Sequence, residues 1–288
     1  MEKIRFITDS ASDMNHPRED VTILPLHIRF GDDEYADGVT ISHREFYEKL
    51  IECDTLPTTS LVSPAVFEDA YEQAVSAGET VIVITISGKL SGTCQSARIA
   101  AEDYEGKVFV IDSMNATIGE RILVEYGLQL KDQGKSAEEI VSILEKEKSK
   151  IHTMGLLDTL EYLKKGGRIT PAAAALGTLL RIKPVLTIQG EKLDAFSKAR
   201  TAKQAKTIML TALAKDLEER FHDKNAEHTY LEIAHTCNEE GAKELEEALK
   251  EQYPGVPITI APLSLSIACH IGPGSFAVAC SSKLKELE

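Results

Sequence analysis

Apolar residues in the first half of the chain form short runs that alternate with stretches of helical spacing. The runs at Lys3 to Thr8, Val81 to Ile86 and Lys107 to Ile111 are typical of buried strands, because they are short and rich in apolar, often β-branched, side chains. Apolar residues recur at helical spacing in the segment His43 to Glu52. Strands that alternate with helices predict an α/β fold with a parallel, Rossmann-like sheet and helices on both faces.

Capping signals mark where several of the helices begin. Ser42 precedes the first predicted helix, Ser136 opens a Ser-Ala-Glu-Glu capping box, and Asn238 precedes a helix predicted to run to about residue 252. The segment Leu56 to Ser60, rich in Thr and Ser, is predicted as a loop.

Each of the three predicted strands ends in polar residues. Asp9-Ser10 follows the first, Asp112-Ser113 follows the third, and the second leads into the loop Ser87 to Thr93 ahead of a predicted helix. Because the carboxyl ends of parallel strands meet at one edge of a sheet, we expect a polar crevice there. The loop amides and the helix dipole favour a small anion. We expect Asp9 and Asp112 to hold loop N–H groups and hydroxyls in place rather than to contact that anion.

The loop Ser87 to Thr93 does not match the common phosphate and hydrolase motifs. In a Walker A loop a Lys-Ser/Thr pair follows the second glycine, whereas here Lys89 precedes Gly92. A nucleophile elbow reads G-x-S-x-G, whereas here the spacing is Gly88-x-x-Ser91-Gly92. We therefore predict a site for a carboxylate or another small anion. The alternative is a tight turn without a ligand.

The second half of the chain has a different pattern. The runs Val185 to Ile188 and Leu193 to Phe196 flank a Gln-Gly turn and predict a hairpin, and Leu156 to Lys165 is predicted as a short helix. These features predict a second, mixed α/β domain with more antiparallel pairing. We expect an N-terminal domain over 1–153 and a C-terminal domain over 154–288.

One predicted helix, Pro171 to Leu180, carries no charge on any face. Such a helix must be buried in the core, packed against another subunit or in contact with an apolar ligand. It is too short to span a bilayer.

Composition limits the possible classes of protein. With 288 residues, 43% hydrophobic and 27% charged, the chain is typical of soluble globular proteins, and the lack of a signal-peptide pattern predicts a cytoplasmic location. The five cysteines and eight histidines lack metal-ligand spacing, so we predict no metal and no cofactor. The net charge of −14 argues against a nucleic-acid partner. Residues 164–206 nevertheless carry ten basic and two acidic residues, which form either a solvated face or a docking surface for an acidic protein, a phosphate-bearing ligand or an anionic membrane.

Several motifs, in order and over essentially the whole chain, resemble the DegV family, the FakB-type fatty acid-binding proteins of bacterial fatty acid kinase. These motifs are TDSASD (8–13), PLHIRFGDDEYADG (25–38), LPTTS (56–60), KLSGTCQSA (89–97), LEYLKKGGRI (160–169), RIKPVLTIQGEK (181–192), KART (198–201) and HIGPG (270–274). The resemblance implies a lipid-binding protein, not an enzyme in itself, that holds one long-chain fatty acid between two domains. A separate ATP-dependent kinase subunit would phosphorylate the carboxylate, and the acyl-phosphate would pass to phospholipid synthesis, with transient contact at the membrane surface.

The resemblance also implies roles for particular residues. Arg200 corresponds to a position implicated in docking the kinase. The implied ligand-binding residues are Thr59, Ser60, Ser91, Gly92, Thr93, Arg168 and His270. Leu61 and Val62 stand where the family often has Gln and Pro, which leaves the preferred chain length and unsaturation open.

The sequence also leaves two other functions open. A free-standing hydrolase would use Ser91 as nucleophile and His270 as base, with Asp9 or Asp112 orienting the histidine. Taken alone, His270 is better interpreted as a structural histidine, and only the resemblance favours a role in ligand binding. A nucleotide-binding module has the least support, because no phosphate-binding motif is present.

Overall fold

A computed structural model describes residues 2–14, 18–53, 55–168, 182–189 and 193–284. The helix predicted from Pro171 to Leu180 lies outside these ranges. The strands are β1 (Ile4–Asp9), β2 (Val21–Leu24), β3 (His27–Phe30), β4 (Asp33–Ala36), β5 (Thr58–Ser60), β6 (Thr80–Thr85), β7 (Val108–Asp112), β8 (His152–Leu156), β9 (Lys183–Gln189), β10 (Leu193–Ala199), β11 (Thr229–His235), β12 (Ile258–Pro262) and β13 (Phe276–Ser282). The α-helices are α1 (His43–Glu52), α2 (Pro64–Ser76), α3 (Thr93–Ala100), α4 (Ile118–Asp132), α5 (Ala137–Glu147), α6 (Glu161–Gly166), α7 (Ala202–Lys215), α8 (Glu239–Gln252) and α9 (Leu265–Ile271).

The N-terminal sheet is parallel, with the strand order β2-β1-β6-β7. Its central strands are buried on both faces, which explains why they read as continuous apolar runs in the sequence. The predicted parallel sheet and its three strands are therefore confirmed. The carboxyl ends of β1, β6 and β7 lie at one edge, so Asp9, the loop after Thr85 and Asp112 are neighbours there.

A small antiparallel sheet, β4-β3-β5, lies beside the parallel one. Its strand β5 corrects the sequence prediction of a loop over Leu56 to Ser60, since Thr59 pairs with Ile28 of β3. The three residues of β5 carry no apolar run, and their extended conformation depends on a partner far away in the chain.

The C-terminal sheet is mixed, with the order β10-β9-β8-β13-β11-β12. Strands β11 and β12 are parallel and the other neighbours are antiparallel, which includes the predicted hairpin of β9 and β10. The helix predicted from Leu156 is wrong at its start, because Leu156 pairs with Val185 and Phe276 in β8 and α6 begins only at Glu161. The expected division between residues 153 and 154 falls inside β8.

Helix α4 joins the two sheets. It packs against β1 and β6 of the parallel sheet and against β11 and β13 of the mixed sheet, and most of its residues are buried. Within this contact Arg121 Nε donates to Glu232 Oε2 on β11 at 2.8 Å. Burial raises the pKa of Glu232 to about 8, although the positive charge of Arg121 opposes that rise. The two halves therefore share a continuous, well-packed interior.

Local capping agrees with the sequence. Ser42 and Ser136 each form a capping box, with Glu45 and Glu139 respectively. The side chain of Asn238 accepts a hydrogen bond from Gly241 N at 3.0 Å, so these three predicted helix starts are confirmed. Within the described ranges, no helix has both the length and the apolar character needed to cross a membrane.

Candidate functional site

A cavity of about 330 Å³ lies between the carboxyl edge of the parallel sheet, the mixed sheet and α9. This volume is at the lower end of the roughly 300–1,000 Å³ of small-molecule sites. Most of the wall is apolar. The apolar lining residues are Leu26, Leu61, Ile86, Leu90, Ala116, Leu157, Leu163, Leu186, Ile188, Leu193, Leu263, Ile267, Ile271 and Ala277.

Two carboxylates hold the loop that follows β6. Asp9 Oδ2 accepts a hydrogen bond from Ile86 N at 2.8 Å, and Asp112 Oδ2 accepts one from Gly88 N at 3.1 Å. Asp112 Oδ1 also accepts from Met114 N at 2.9 Å. Burial raises the pKa of Asp9 to about 7, while the amide hydrogen bonds from Ile86 and Ala11 act to lower it. The prediction that these aspartates position loop N–H groups is confirmed.

The loop places Ser91 and Gly92 on the cavity wall. Ser91 Oγ lies 2.9 Å from Thr93 Oγ1 and accepts a hydrogen bond from Thr93 N at 3.2 Å. Gly92 occupies the N-cap position of α3, where the first helical amides lack partners within the helix. Thr93 itself is buried behind Ser91 and lies outside the cavity lining. It therefore orients the serine hydroxyl.

Thr59 and His270 meet across the cavity although 211 positions separate them in the sequence. Thr59 Oγ1 on β5 lies 2.8 Å from His270 Nε2 on α9. The other ring nitrogen, Nδ1, is buried and has no partner among the described residues. Because a buried N–H without a partner is rarer than a bare acceptor, we assign the proton to Nε2. Thr59 then accepts from the histidine, and its own hydroxyl proton is free to point towards a ligand.

Burial lowers the pKa of His270 to about 4, and the positive charge of Arg168 lowers it further. The imidazole is therefore neutral near pH 7. It packs tightly on Gly166, since a Cβ added there would lie 2.5 Å from Nδ1. This contact explains a glycine at the end of α6.

Arg168 supplies the positive charge at this end of the cavity. It follows Gly167, which has a φ of +70° and ends α6 in the left-handed conformation. The guanidinium is exposed and donates to Gly166 O at 2.7 Å. It lines the cavity together with Thr59, Ser60, Ser91, Gly92 and His270. The structure thus brings six of the seven predicted ligand-binding residues to the lining of one cavity.

Arg200 lies elsewhere. It is exposed before α7, and its backbone N–H donates to Gln204 Oε1 at 2.8 Å. It is not among the residues that line the cavity.

Sequence reasoning missed four hydroxyl-bearing residues of the cavity wall: Thr117, Thr153, Thr187 and Ser266. A signal existed for Thr117, because it follows β7 and so belongs to the same sheet edge as Asp112. No local signal existed for the other three, since strand pairing and the packing of α9 bring them to the cavity.

The hydrogen bonds do not assemble a hydrolytic triad. Ser91 Oγ is bonded to Thr93 and His270 Nε2 to Thr59. Asp9 and Asp112 accept backbone amides of their own sheet edge. A nucleophilic serine needs a base within hydrogen-bond reach and a group that orients the base, and neither contact is present among the described residues.

A group of possible metal ligands lies elsewhere, at His152, Asp216 and Cys280. Asp216 is already bonded to His152 Nδ1, and Arg220 Nη1 lies 3.1 Å from its other oxygen. Burial alone would raise the pKa of Asp216, but the bonds to His152 and Arg220 outweigh it and the pKa is lowered. Burial raises the pKa of the Cys280 thiol. A protonated thiol and a neighbouring guanidinium both disfavour a cation.

Among the described residues, the lining of this cavity is mostly apolar but includes hydroxyls, the loop residue Gly92 and the cation of Arg168, and such a lining suits an amphiphile with an anionic head. The chain matches the family model described as "Uncharacterised protein, DegV family" over residues 3–283. The protein therefore belongs to the DegV family, as the sequence motifs predicted.

Relatives and solved structures agree with this assignment. A DegV domain-containing protein of Clostridium perfringens is 34% identical, over 99% of this chain and 100% of the relative. A structure described as fatty acid binding of a DegV family protein, from Thermus thermophilus, has a TM-score of 0.88 and 33% identity, covering 97% of this chain and 99% of its own. A fatty acid (stearic acid)-binding protein from Eubacterium ventriosum has a TM-score of 0.87 and 27% identity, with coverage of 98% and 99%. The two-domain α/β fold is thus that of these proteins.

Proposed function

We propose that the protein binds one long-chain fatty acid in this cavity, with the carboxylate at the polar wall and the acyl chain along the apolar lining. The observation that carries the proposal is the grouping of Thr59, Ser91, Arg168 and His270 on a cavity that is otherwise apolar. Structures described as fatty acid-binding DegV proteins have the same fold over nearly the whole chain.

The polar wall suits a carboxylate because it supplies several donors and one charge. A carboxylate that leaves water needs hydrogen bonds and an opposite charge to offset a desolvation cost of several kcal/mol. The hydroxyls of Thr59 and Ser91 supply neutral donors, and Arg168 supplies a charge-assisted pair. His270 is neutral near pH 7 and helps to orient Thr59.

The further step of the proposal is that the protein presents the bound acid to a separate ATP-dependent kinase, which forms an acyl-phosphate for phospholipid synthesis. Two features support this step. The resemblance to FakB-type proteins covers both the cavity motifs and the segment that contains Arg200. Arg200 is exposed and off the cavity wall, so it is available to a partner while lipid is bound.

Solvent extraction of the purified protein, followed by mass spectrometry, tests the binding step. We expect long-chain fatty acid at near-stoichiometric level, or uptake of added acid by delipidated protein. If no acid accompanies the protein and none binds when added, the binding proposal fails.

Acyl-phosphate formation with purified fatty acid kinase and ATP tests the presentation step. Arg200→Ala should retain lipid and lose most of the kinase coupling, whereas Ser91→Ala should weaken both. Arg44→Ala, which changes an exposed arginine on α1, is the matched control and should behave as wild type. Loss of lipid binding in a folded Arg200→Ala variant would show that the docking surface is misplaced.

A further inference from the structure

Helix α9, which carries His270, is capped by carboxylates from the other half of the chain. Ser264 occupies the N-cap position, but its side chain makes no capping hydrogen bond. Instead, Asp13 Oδ1 accepts a hydrogen bond from Ser264 N at 2.7 Å. Asp37 Oδ1 accepts one from the amide of residue 265, and Asp37 Oδ2 accepts one from Ser266 N, each at 3.0 Å. The first amides of α9, which have no partners within the helix, are therefore satisfied by residues more than two hundred positions away.

The two carboxylates are themselves held in place. Asp13 and Asp37 are only 3% and 4% exposed. Asp37 Oδ2 also accepts a hydrogen bond from Ser10 Oγ at 3.0 Å, and the Asp37 backbone N–H donates to Leu26 O at 2.9 Å. Asp13 ends the motif TDSASD and Asp37 follows β4, so both approach α9 from the N-terminal half.

The other end of α9 is bonded to the same half of the chain. His270 lies in its last turn, and His270 Nε2 is 2.8 Å from Thr59 Oγ1 on β5. Between its two ends, α9 packs against β3 and β5. The helix has seven residues and is rigid over that length, so the position of its first turn also sets the position of His270.

We propose that Asp13 and Asp37 are positioning residues of the ligand site, which fix α9 so that His270 holds Thr59 with its hydroxyl towards the bound carboxylate. Neither aspartate is among the described residues that line the cavity, so both act through the helix and not on the ligand. The inference rests on the proposed function, because it assumes that Thr59 donates to a fatty acid.

The two aspartates differ in the number of oxygens that they use. Both oxygens of Asp37 accept backbone amides, so Asp37→Asn would turn an NH₂ group towards one of those amides. Asp13 Oδ2 has no hydrogen-bond partner among the described residues, so Asp13→Asn can keep the bond to Ser264 N. Asparagine also tolerates the φ of +55° at this position. The proposal therefore predicts that asparagine replaces Asp13 but not Asp37.

Asp223 provides a matched control. Its Oδ1 accepts a hydrogen bond from Glu227 N at 2.9 Å and its Oδ2 accepts one from His228 N at 2.7 Å, which is the same use of both oxygens. Asp223 Oδ2 also accepts from Thr229 Oγ1 at 2.6 Å, as Asp37 Oδ2 does from Ser10 Oγ. Asp223 lies ahead of β11 and is not among the described residues of the cavity lining.

Calorimetric binding of stearic acid to delipidated protein, together with nitrogen NMR of the His270 ring, tests the inference. Asp37→Asn should weaken binding by about threefold to tenfold, the worth of one neutral hydrogen bond, and the ring should lose its single Nε2-protonated tautomer. Asp13→Asn and Asp223→Asn should keep wild-type affinity and the wild-type tautomer, although Asp223→Asn should also lower the melting temperature. If Asp37→Asn does not fold, Asp13→Ala, which removes one acceptor only, should change affinity and ring signals in the same direction.

The outcomes separate this inference from the proposed function. If Asp37→Asn, or Asp13→Ala in its place, loses stability but keeps wild-type affinity and the Nε2 tautomer, the inference is overturned while the fatty acid site stands. If Asp223→Asn weakens binding as much as Asp37→Asn, a general loss of stability explains both effects and the inference is overturned. If wild-type protein binds no fatty acid, the proposed function fails and the inference fails with it. Weaker binding and a changed tautomer in Asp37→Asn, with both other asparagine variants like wild type, support both proposals.

Discussion

The two sides of the polar wall are built differently. On the N-terminal side, the loop after β6 is fixed by Asp9 and Asp112, which accept backbone amides at the sheet edge. On the C-terminal side, the charge lies on Arg168, an exposed side chain that donates a hydrogen bond to Gly166 O. The two sides therefore have different roles. The buried Asp9 and the half-buried Asp112 hold the loop amides in place, whereas the cation lies on an exposed side chain. Substitution of the aspartates should therefore affect folding, and substitution of the arginine should affect binding.

The largest effect should come from Asp9→Ala. This change removes the acceptor of two amides, Ile86 N and Ala11 N, at a fully buried position. Each buried amide left without a partner costs about 1–3 kcal/mol. In urea unfolding, the free energy of unfolding should therefore fall by that amount for each of the two amides. Asp132→Ala breaks an exposed ion pair with Arg18 and should cost less than about 1 kcal/mol. Equal effects of the two changes would contradict the role of Asp9 in holding the loop amides in place.

Arg168→Gln tests the C-terminal side of the polar wall. A charge-assisted hydrogen bond is worth about 1.5–3 kcal/mol, so fatty acid affinity should fall by about 10- to 150-fold. Arg168→Lys keeps the charge but loses the bidentate geometry, and its loss should be smaller. Thermal unfolding of the lipid-free variants should match wild type, because the side chain is exposed. A fall in stability without a fall in affinity would show that Arg168 supports the fold rather than ligand binding.

Gly166→Ala tests whether the C-terminal side also depends on close packing. The new Cβ would lie 2.5 Å from His270 Nδ1, so the ring must shift from the position in which its Nε2 contacts Thr59. Overpacking costs about 1–3 kcal/mol, and we expect roughly tenfold weaker fatty acid binding by calorimetry. Gly155→Ala is the control, since its Cβ would meet neighbours only at 3.7 Å on the same cavity wall. Similar losses in both variants would argue against a specific role for the imidazole position.

The smallest effect should be a pH dependence of stability through His270. Its pKa is about 4 in the folded protein and 6.5 ordinarily, so between these values the unfolded chain binds more protons. The stability contribution is therefore complete above about pH 6.5 and is lost as the pH falls towards 4. The ring is partly exposed, so we expect a loss of about 1–2 kcal/mol in this window, absent in His270→Gln. Identical pH profiles for wild type and the glutamine variant would contradict the buried neutral histidine.

Much of the N-terminal half could be read from the sequence, because its signals are local. The segments that form β1, β6 and β7 are short and rich in apolar residues, and the capping boxes at Ser42 and Ser136 each lie within four residues. The role of Asp9 and Asp112 in positioning loop N–H groups also followed from the rule that parallel strands end at one edge. The position of the loop Ser87 to Thr93 at this edge could therefore be predicted before the fold was known, whereas its role as an anion site stays a prediction.

Only the tertiary structure decided how Thr59 and His270 come together in the cavity. Strand β5 exists because Thr59 pairs with Ile28, and Thr59 meets His270 across 211 positions. The sequence by itself determined the local elements, the cation and the donor types, because these depend on a few adjacent residues. Which side chains share one cavity depends on long-range packing, and no local sequence pattern predicts that packing.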